Sequence, residues 1–484
     1  MGARCLPLPF AWACTLCACG LPQAEQDIDY SAIFVSDRLV EWKISVDNEA
    51  WHQLRVHPAV YVPADLEVDG IIYDDVGLRM IGNRNRPKVG MRIRFNEFNP
   101  TLRYHGVKRL SLSANAGDPT LVRQSLALRL MRDAGVPAPR SSFVWVDWGN
   151  GGGIYTLEEQ VDRKLLEDRF DEADGNLYKV DMGGNLVFRG DDPASYDWTT
   201  TYGLKTNELH ADHSGLIELM KVLARVSVSD LDQILPEVLD VEAFLRLLAV
   251  NSWLANMESY AGTAAGFYLY HDSTGRFRMI PRTPNRAFGN FHGRHCTHAE
   301  CDAVCTESIA DHCAGLCDDD KSVGGCVEDC AESFVEHYGD FQAQNICLAD
   351  QPEYCEYPTD DLRALDPDNP TCSPDRPLVH EILKVPAFKE RYHELLGTLM
   401  DGPLSPREVR ARMDAMRALV STRVHEDAWK DYAYDEAGVP MDFDTTFSAD
   451  TVLDLQDPWE YRVPGLMPFV LDRDALIREN LGGL

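Results

Sequence analysis

Nine cations lie between Arg79 and Arg109, namely Arg79, Arg84, Arg86, Lys88, Arg92, Arg94, Arg103, Lys108 and Arg109, against the single acid Glu97. The chain as a whole carries 46 Lys and Arg against 78 Asp and Glu, a net charge of −32, so this surplus is a local exception. Met91, Ile93 and Phe95 alternate with Arg92 and Arg94, the period-two pattern of a strand with one buried face and one basic face. Such a face either contacts phosphate oxygens or is a solvated basic strand on an acidic protein. The global charge repels polyanions, so no nucleic-acid partner is expected. A second candidate group is acidic. Glu158 and Glu159 fall on opposite faces of a strand, so only one can face a cleft, and pairing with a base such as Lys88 or Lys179 is the alternative role.

The elements that must position these groups are legible in outline. Leu39 to Val46 reads as a strand, Asp47 as the cap of a helix through Arg55, and Val68-Asp69-Gly70-Ile71 as a hairpin turn. Asp118 with Pro119 reads as the start of a helix closing at Gly135. Ser142 to Val146 and Gly153 to Val161 read as a hairpin across the glycines 149–153, and Asp162 as the cap of a helix from Arg163 to Phe170. From Leu216 onward the period becomes helical, over Leu216 to Leu223, Val241 to Asn256, Pro377 to Met400 and Arg407 to Lys430. At 484 residues the chain can bury a large core. Strands first and helices afterwards imply an α+β fold with a strand-rich N-lobe and a helical C-lobe.

The N-terminus and the cysteines point to export. Arg4 precedes the short apolar run Leu6 to Leu16, and Leu16-Cys17-Ala18-Cys19 fits a lipobox with Cys19 as the acylated residue; an ordinary cleaved signal peptide is the alternative. Of 14 cysteines, Cys5, Cys14, Cys17 and Cys19 belong to this leader. The others are Cys296, Cys301, Cys305, Cys313, Cys317, Cys326, Cys330, Cys347, Cys355 and Cys372, an even set that reads as a disulfide framework. Their segment holds 19 acids against Lys321 and Arg363. Zinc binding with His292, His295, His298 and His312, and calcium on Asp318-Asp319-Asp320 or Asp366-Pro367-Asp368, are weaker readings, and no metal site is assigned.

Several ordered motifs resemble those of the CotH kinase family, the spore-coat-type atypical protein kinases, from about Leu39 to Trp429. Leu78 to Asn83 is similar to its RGN-type turn, Lys88 to Phe95 to its lysine-containing basic strand, and Tyr104 to Leu112 to its "F/Y-x-G-x-K-x-L-x-L" run. Asp118-Pro119-Thr120, Gly135 to Pro139, Gly153 to Asp162 ("GxYxLxEQVD") and Gly175 to Lys179 ("GNLYK") follow in family order. The resemblance implies an atypical protein-kinase-like two-lobed fold with a disulfide-rich insertion. Its expected segments are a leader over 1–18, a linker over 19–38, the N-lobe over 39–180 and the start of the C-lobe over 181–290. The insertion then covers 291–375, and the rest of the C-lobe 376–484. ATP with Mg²⁺ or Mn²⁺ is the implied cofactor, with Lys88, Arg92, Glu159 and Lys179 toward the nucleotide and its phosphates.

Phosphoryl transfer needs carboxylates that hold magnesium against the phosphates, and here the chain departs from the family. The family's "N-x-D-S-Y" becomes Asn256-Met257-Glu258-Ser259-Tyr260, its Asn before "YYLY" becomes Gly266, and the acids of "PWDLDxxFG" become Thr283 and Asn285. Glu258 and Asn285 are thus the catalytic positions, and Gly266, Thr283 and Asn285 the degraded metal positions. The resulting expectation is an exported envelope or surface lipoprotein, lipid-anchored through Cys19, that binds a surface protein partner as a pseudokinase. The alternatives are an active atypical kinase using Glu258, and an adhesion or envelope-structure protein acting through the cysteine-rich insertion.

Overall fold

A computed structural model describes residues 27–82, 88–181, 183–290, 362–371, 376–430, 433–434, 439–456 and 459–482. The leader with Cys19, the ten clustered cysteines, and Arg84 and Arg86 lie outside the described residues.

Seven strands close into a barrel in the order β1-β2-β3-β4-β5-β7-β6. They are β1 (Val40–Ser45), β2 (Val62–Val68), β3 (Ile71–Ile81), β4 (Gly90–Arg94), β5 (Arg109–Ser113), β6 (Ser141–Asp147) and β7 (Gly152–Glu158). Alternation dictates the inside: Val40, Trp42 and Ile44 of β1 and Met91 and Ile93 of β4 are buried, while their neighbours face outward. The closing seam is parallel, with Val40 opposite Val144 and Lys43 opposite Asp147. Trp42, Leu66, Leu78, Ile93, Phe95 and Leu157 fill the interior. Two short helices flank β1, α1 (Tyr30–Ile33) and α2 (Asn48–Val56). The Asp47 carboxylate accepts from the Ala50 amide at 2.7 Å and caps α2 as its sequence implies.

The expected helix start at Asp118 is corrected. Helix α3 covers Arg123–Asp133, because Asp118 spends its oxygens on a turn, accepting from the Thr120 amide at 3.0 Å and the Arg123 amide at 2.9 Å. Leu121 within that turn has φ +61°. Arg123 is fully buried and ties three segments together, donating to the Phe288 carbonyl at 2.9 Å and the Pro464 carbonyl at 2.6 Å beside Asp118.

Helix α4 (Arg163–Phe170), capped by Asp162, leads into a second, antiparallel sheet ordered β11-β10-β8-β9. Its strands are β8 (Asn176–Val180), β9 (Tyr202–Leu204), β10 (Phe267–His271) and β11 (Phe277–Pro281). Residues 176–180, expected in the strand-rich lobe, pair with β10 and so belong to this sheet. One face, with Tyr178, Val180, Phe267, Leu269 and Met279, enters the main helical core; the other, with Leu177, Tyr270 and Ile280, packs on Leu165 and Leu166 of α4.

The main core gathers α5 (Ser214–Arg225), α6 (Val228–Val238), α7 (Val241–Trp253), α8 (Pro377–Lys384), α9 (Pro386–Asp401), α10 (Pro406–Ser421) and α11 (Leu466–Gly482). Helix α7 is buried throughout from Leu247 to Trp253, while Glu242 and Arg246 in its first turns reach the surface. The single helix expected over Pro377 to Met400 is two, since Pro386 holds Val385 extended and starts α9 afresh. A three-stranded sheet, β12 (Ala433–Tyr434), β13 (Val452–Gln456) and β14 (Trp459–Val463), precedes α11. Among the described residues no helix is long and apolar enough to cross a membrane.

Candidate functional site

Register builds the barrel side of the site. Arg79 on β3 lies opposite Arg92 on β4, Arg92 opposite Ser111 on β5, and Ser111 opposite Glu158 on β7. Period two therefore places all four on the outer barrel face, since Leu112 and Leu157 between them point inward. Arg92 is half-buried and its Nε donates to Ser111 Oγ at 3.3 Å; Gln160 donates to the same oxygen at 2.9 Å. Glu158 Oε1 accepts from Gln124, which in turn accepts from Ser113 at 2.9 Å. Burial pushes the Glu158 carboxyl up to about 8, with Glu258 adding to the rise while Arg92 and Arg282 oppose it.

The second sheet supplies the other wall. Lys179 on β8 and Tyr268 on β10 are cross-strand neighbours. Asp181, just past β8, is held by Lys179 and by Arg282, whose guanidinium donates at 2.5 Å. Burial works against the Asp181 charge, but these two hydrogen bonds outweigh it and hold its pKa below the ordinary value. Burial lowers the pKa of Lys179, and it raises that of Tyr268 even though Arg282 and Arg92 both act on the phenol.

The turn after α7 forms the floor. Ser259 Oγ donates to the Asn256 carbonyl at 2.7 Å, Asn256 donates to Asn251 at 3.0 Å, and Thr263 N donates to the Met257 carbonyl at 2.9 Å. A small pocket here, of ≈ 240 Å³ including its open mouth, is lined in part by Asn251, Asn256, Glu258, Gly266 and Arg282. Burial raises the Glu258 pKa, against the attraction of Arg286 and Arg282. Gly266 has φ +74°, and a Cβ there would stand 2.9 Å from both Glu258 Cγ and the Glu258 carbonyl oxygen. A side chain at 266 would therefore collide with residue 258 through both its backbone and its side chain.

The structure brings together Arg92, Lys179, Glu258, Gly266 and the vicinity of Arg282. Thr283 and Asn285 follow β11 outside the pocket lining, and Asn285 Oδ1 is buried without a hydrogen-bond partner among the described residues. Two expected contacts are corrected. Lys88 is buried 2.6 Å from Asp427 Oδ2, donates also to the Ile154 carbonyl at 2.5 Å, and lies over the Tyr155 ring at 4.9 Å. It is thus committed to the opposite end of β7 from Glu158. Glu159 turns away from the cleft and is buried between Arg140 and Arg169 at 2.9 and 3.0 Å; neither Lys88 nor Lys179 is its partner in those bridges. Of the two neighbours it is Glu158 that shares the outer barrel face with Arg92 and Ser111, and that parity was available from the strand patterns.

Residues 79–476 match the model of the CotH kinase protein family. The chain belongs to the CotH kinase family. This family member is similar to the inner spore coat protein H of Bacillus subtilis (strain 168), 28% identical over 240 residues. The match takes in 48% of this chain and 64% of that protein, so it spans less than two thirds of the relative.

A kinase of this family implies nucleotide and a divalent cation, and the residues present do not fit a magnesium bridge. Of the four positions that the motifs assign to it, 258, 266, 283 and 285, one carries a carboxylate. That carboxylate, Glu258, is half-buried and feels the guanidiniums of Arg286 and Arg282 together with the acids Asp181 and Glu158. Among the described residues no three His, Cys, Asp or Glu side chains are grouped to hold a metal.

Proposed function

We propose that this CotH kinase family member is a pseudokinase-like binding protein of the cell surface or envelope. In this reading the barrel is the N-lobe, the second sheet with its helices is the C-lobe, and the cleft between them retains a ligand site without phosphotransfer. One observation carries the reading: phosphoryl transfer requires carboxylates that hold the metal, and of the four positions that the family motifs assign to it, 258, 266, 283 and 285, Glu258 alone is an acid, with no three metal-binding side chains grouped among the described residues.

Export rests on the leader motif ending at Cys19 and on the cysteine framework from Cys296 to Cys372. That framework follows Phe288-Gly289 directly, the position of a substrate-facing loop in a kinase, and it is the surface proposed for a protein partner. The name of the Bacillus subtilis relative, a spore coat protein, is consistent with a surface location. The test is phosphate transfer from ATP with Mg²⁺ or Mn²⁺ by the oxidised chain, beside Glu258→Ala. Metal-dependent transfer that disappears in the variant would establish an active atypical kinase instead. Unchanged partner capture after deletion of residues 296–372 would remove the docking role.

A further inference from the structure

Two turns share the end of the barrel at which the chain enters β1. Val68 pairs with Trp42 and with Ile71, and Arg94 with Gly77 and with Arg109, so the antiparallel registers put the β2–β3 turn and the β4–β5 connection there together. The rings of Tyr73 and Tyr104, one from each side, meet at 5.5 Å. Three large apolar side chains are exposed at this end, Ile71, Ile72 and Phe98. The β4–β5 connection carries Arg94, Arg103, Lys108 and Arg109 against the single acid Glu97. Glu97 is held by Arg94 at 2.9 Å, and Asp69 on the neighbouring turn by Arg38 at 2.6 Å. Lys108 and Arg109 are exposed, and Arg109 reaches Asp162 only at 3.5 Å. The connection holds its shape, because Tyr104 is buried against Trp42 and Phe95, and the Phe95 amide donates to the Lys108 carbonyl at 2.8 Å. The first described residues join the barrel at the same place: the Asp29 amide donates to the His105 carbonyl at 3.2 Å. Asp29 is ten residues beyond Cys19, at most roughly 35 Å along an extended chain.

We infer that this end of the barrel rests on an anionic phospholipid surface, with Ile71, Ile72 and Phe98 entering the headgroup layer and Lys108 and Arg109 meeting the headgroup charge. The inference rests on the export reading given above, with Cys19 as the anchor, and adds the face that the anchored chain turns to the bilayer. Exposed apolar side chains beside Lys and Arg suit an interface of this kind: the first leave water, and the second gain from the negative surface potential. The net charge of −32 does not forbid the contact, because at ordinary ionic strength the membrane feels only charges within about 10 Å. Much of the acid lies elsewhere, 19 of 78 acidic residues falling between Cys296 and Cys372. A short tether from Cys19 also raises the local concentration of this face at the membrane, so a modest affinity suffices to orient the protein.

The test is flotation of the full chain, free of acyl groups, with vesicles of phosphatidylcholine alone and of phosphatidylcholine mixed with phosphatidylglycerol. The apolar leader contributes alike to both vesicles and to every variant, so the differences carry the result. The chain binds the anionic vesicles more tightly, and high salt weakens that binding. Lys108→Gln with Arg109→Gln lowers it about twenty-fivefold, roughly fivefold for each cation, and Phe98→Ala lowers it roughly fivefold. Arg55→Gln, at an exposed cation on α2 beyond the other end of β1, leaves it within about twofold. All of these side chains are on the surface, so the variants keep the fold. Equal binding to the two vesicles would overturn the inference. So would anionic binding indifferent to both Phe98→Ala and the double substitution, since the contact would then lie elsewhere, or a loss in Arg55→Gln as large as that in Lys108→Gln. A folded chain that binds neither vesicle overturns this inference and leaves the pseudokinase reading standing, whereas metal-dependent phosphotransfer overturns that reading alone. Fatty-acid labelling of Cys19 in cells tests the anchor separately from both.

Discussion

Replacing Lys88 by Met separates a structural lysine from a phosphate-contacting one. Lys88 and Asp427 are 5% and 1% exposed and 2.6 Å apart. Removing the ammonium leaves the Asp427 carboxylate buried, with the Ile154 amide at 2.9 Å and the Trp429 amide at 3.1 Å as its remaining donors. The Ile154 carbonyl and the Tyr155 ring lose their cation as well. An unpaired buried charge of this kind costs about 3–5 kcal/mol. The segment itself stays docked, because Arg423 still bridges Glu41 at 2.9 Å and lies 3.8 Å over the Trp145 ring. Urea unfolding read through tryptophan fluorescence measures the loss, with Trp429 packed against residue 151 as a local reporter. Adding Asp427→Asn, which keeps an acceptor for Ile154 and removes the stranded charge, restores much of it, so the two substitutions are strongly non-additive. A Lys88→Met protein as stable as the parent but deficient in phosphate binding would refute this assignment.

Glu158 makes stability pH-dependent with a definite sign. Its folded pKa of about 8 lies above the ordinary 4.5, so between those values the folded state holds a proton that the unfolded chain has released. Its contribution is full below about pH 4.5 and is lost as pH rises through about 8; denaturation midpoints of Glu158→Gln relative to the parent should therefore improve from pH 5 to pH 9, and a constant difference would contradict the shift. Gly266→Ala forces a Cβ to 2.9 Å from two Glu258 atoms at φ +74°, at a cost of about 1–3 kcal/mol in thermal or urea unfolding. Adding Glu258→Ala relieves only the Cγ contact, so full recovery would show that the backbone contact is unimportant. Trp42→Ala empties the centre of the barrel, where Trp42 is fully buried, and should lower stability by about 3–5 kcal/mol in the same assay.

The strands and their faces were largely legible because period two is a local signal. Val40, Trp42 and Ile44, or Met91 and Ile93, name the barrel interior without reference to anything distant. The α3 start was not legible, since Asp118 fits a cap and only the distant carbonyls of Phe288 and Pro464 explain why Arg123 is instead anchored at the first helical position. Lys88 fails for the same reason: its partner Asp427 lies 339 residues away, and no local pattern connects them. The substituted metal positions at Gly266, Thr283 and Asn285 were visible as motif departures. The close approach of Gly266 to Glu258 required coordinates. So did the choice between Glu158 and Glu159, although strand parity with Arg92 carried the information.

The central claim, that the cleft no longer supports metal-dependent phosphotransfer, is tested most directly by following label from γ-labelled ATP. Transfer to the protein itself, to a generic acceptor protein and to water is measured with Mg²⁺ and with Mn²⁺, beside Glu258→Ala. The account predicts transfer by the parent no greater than by the variant under either metal. Transfer that requires metal and vanishes in Glu258→Ala would contradict it.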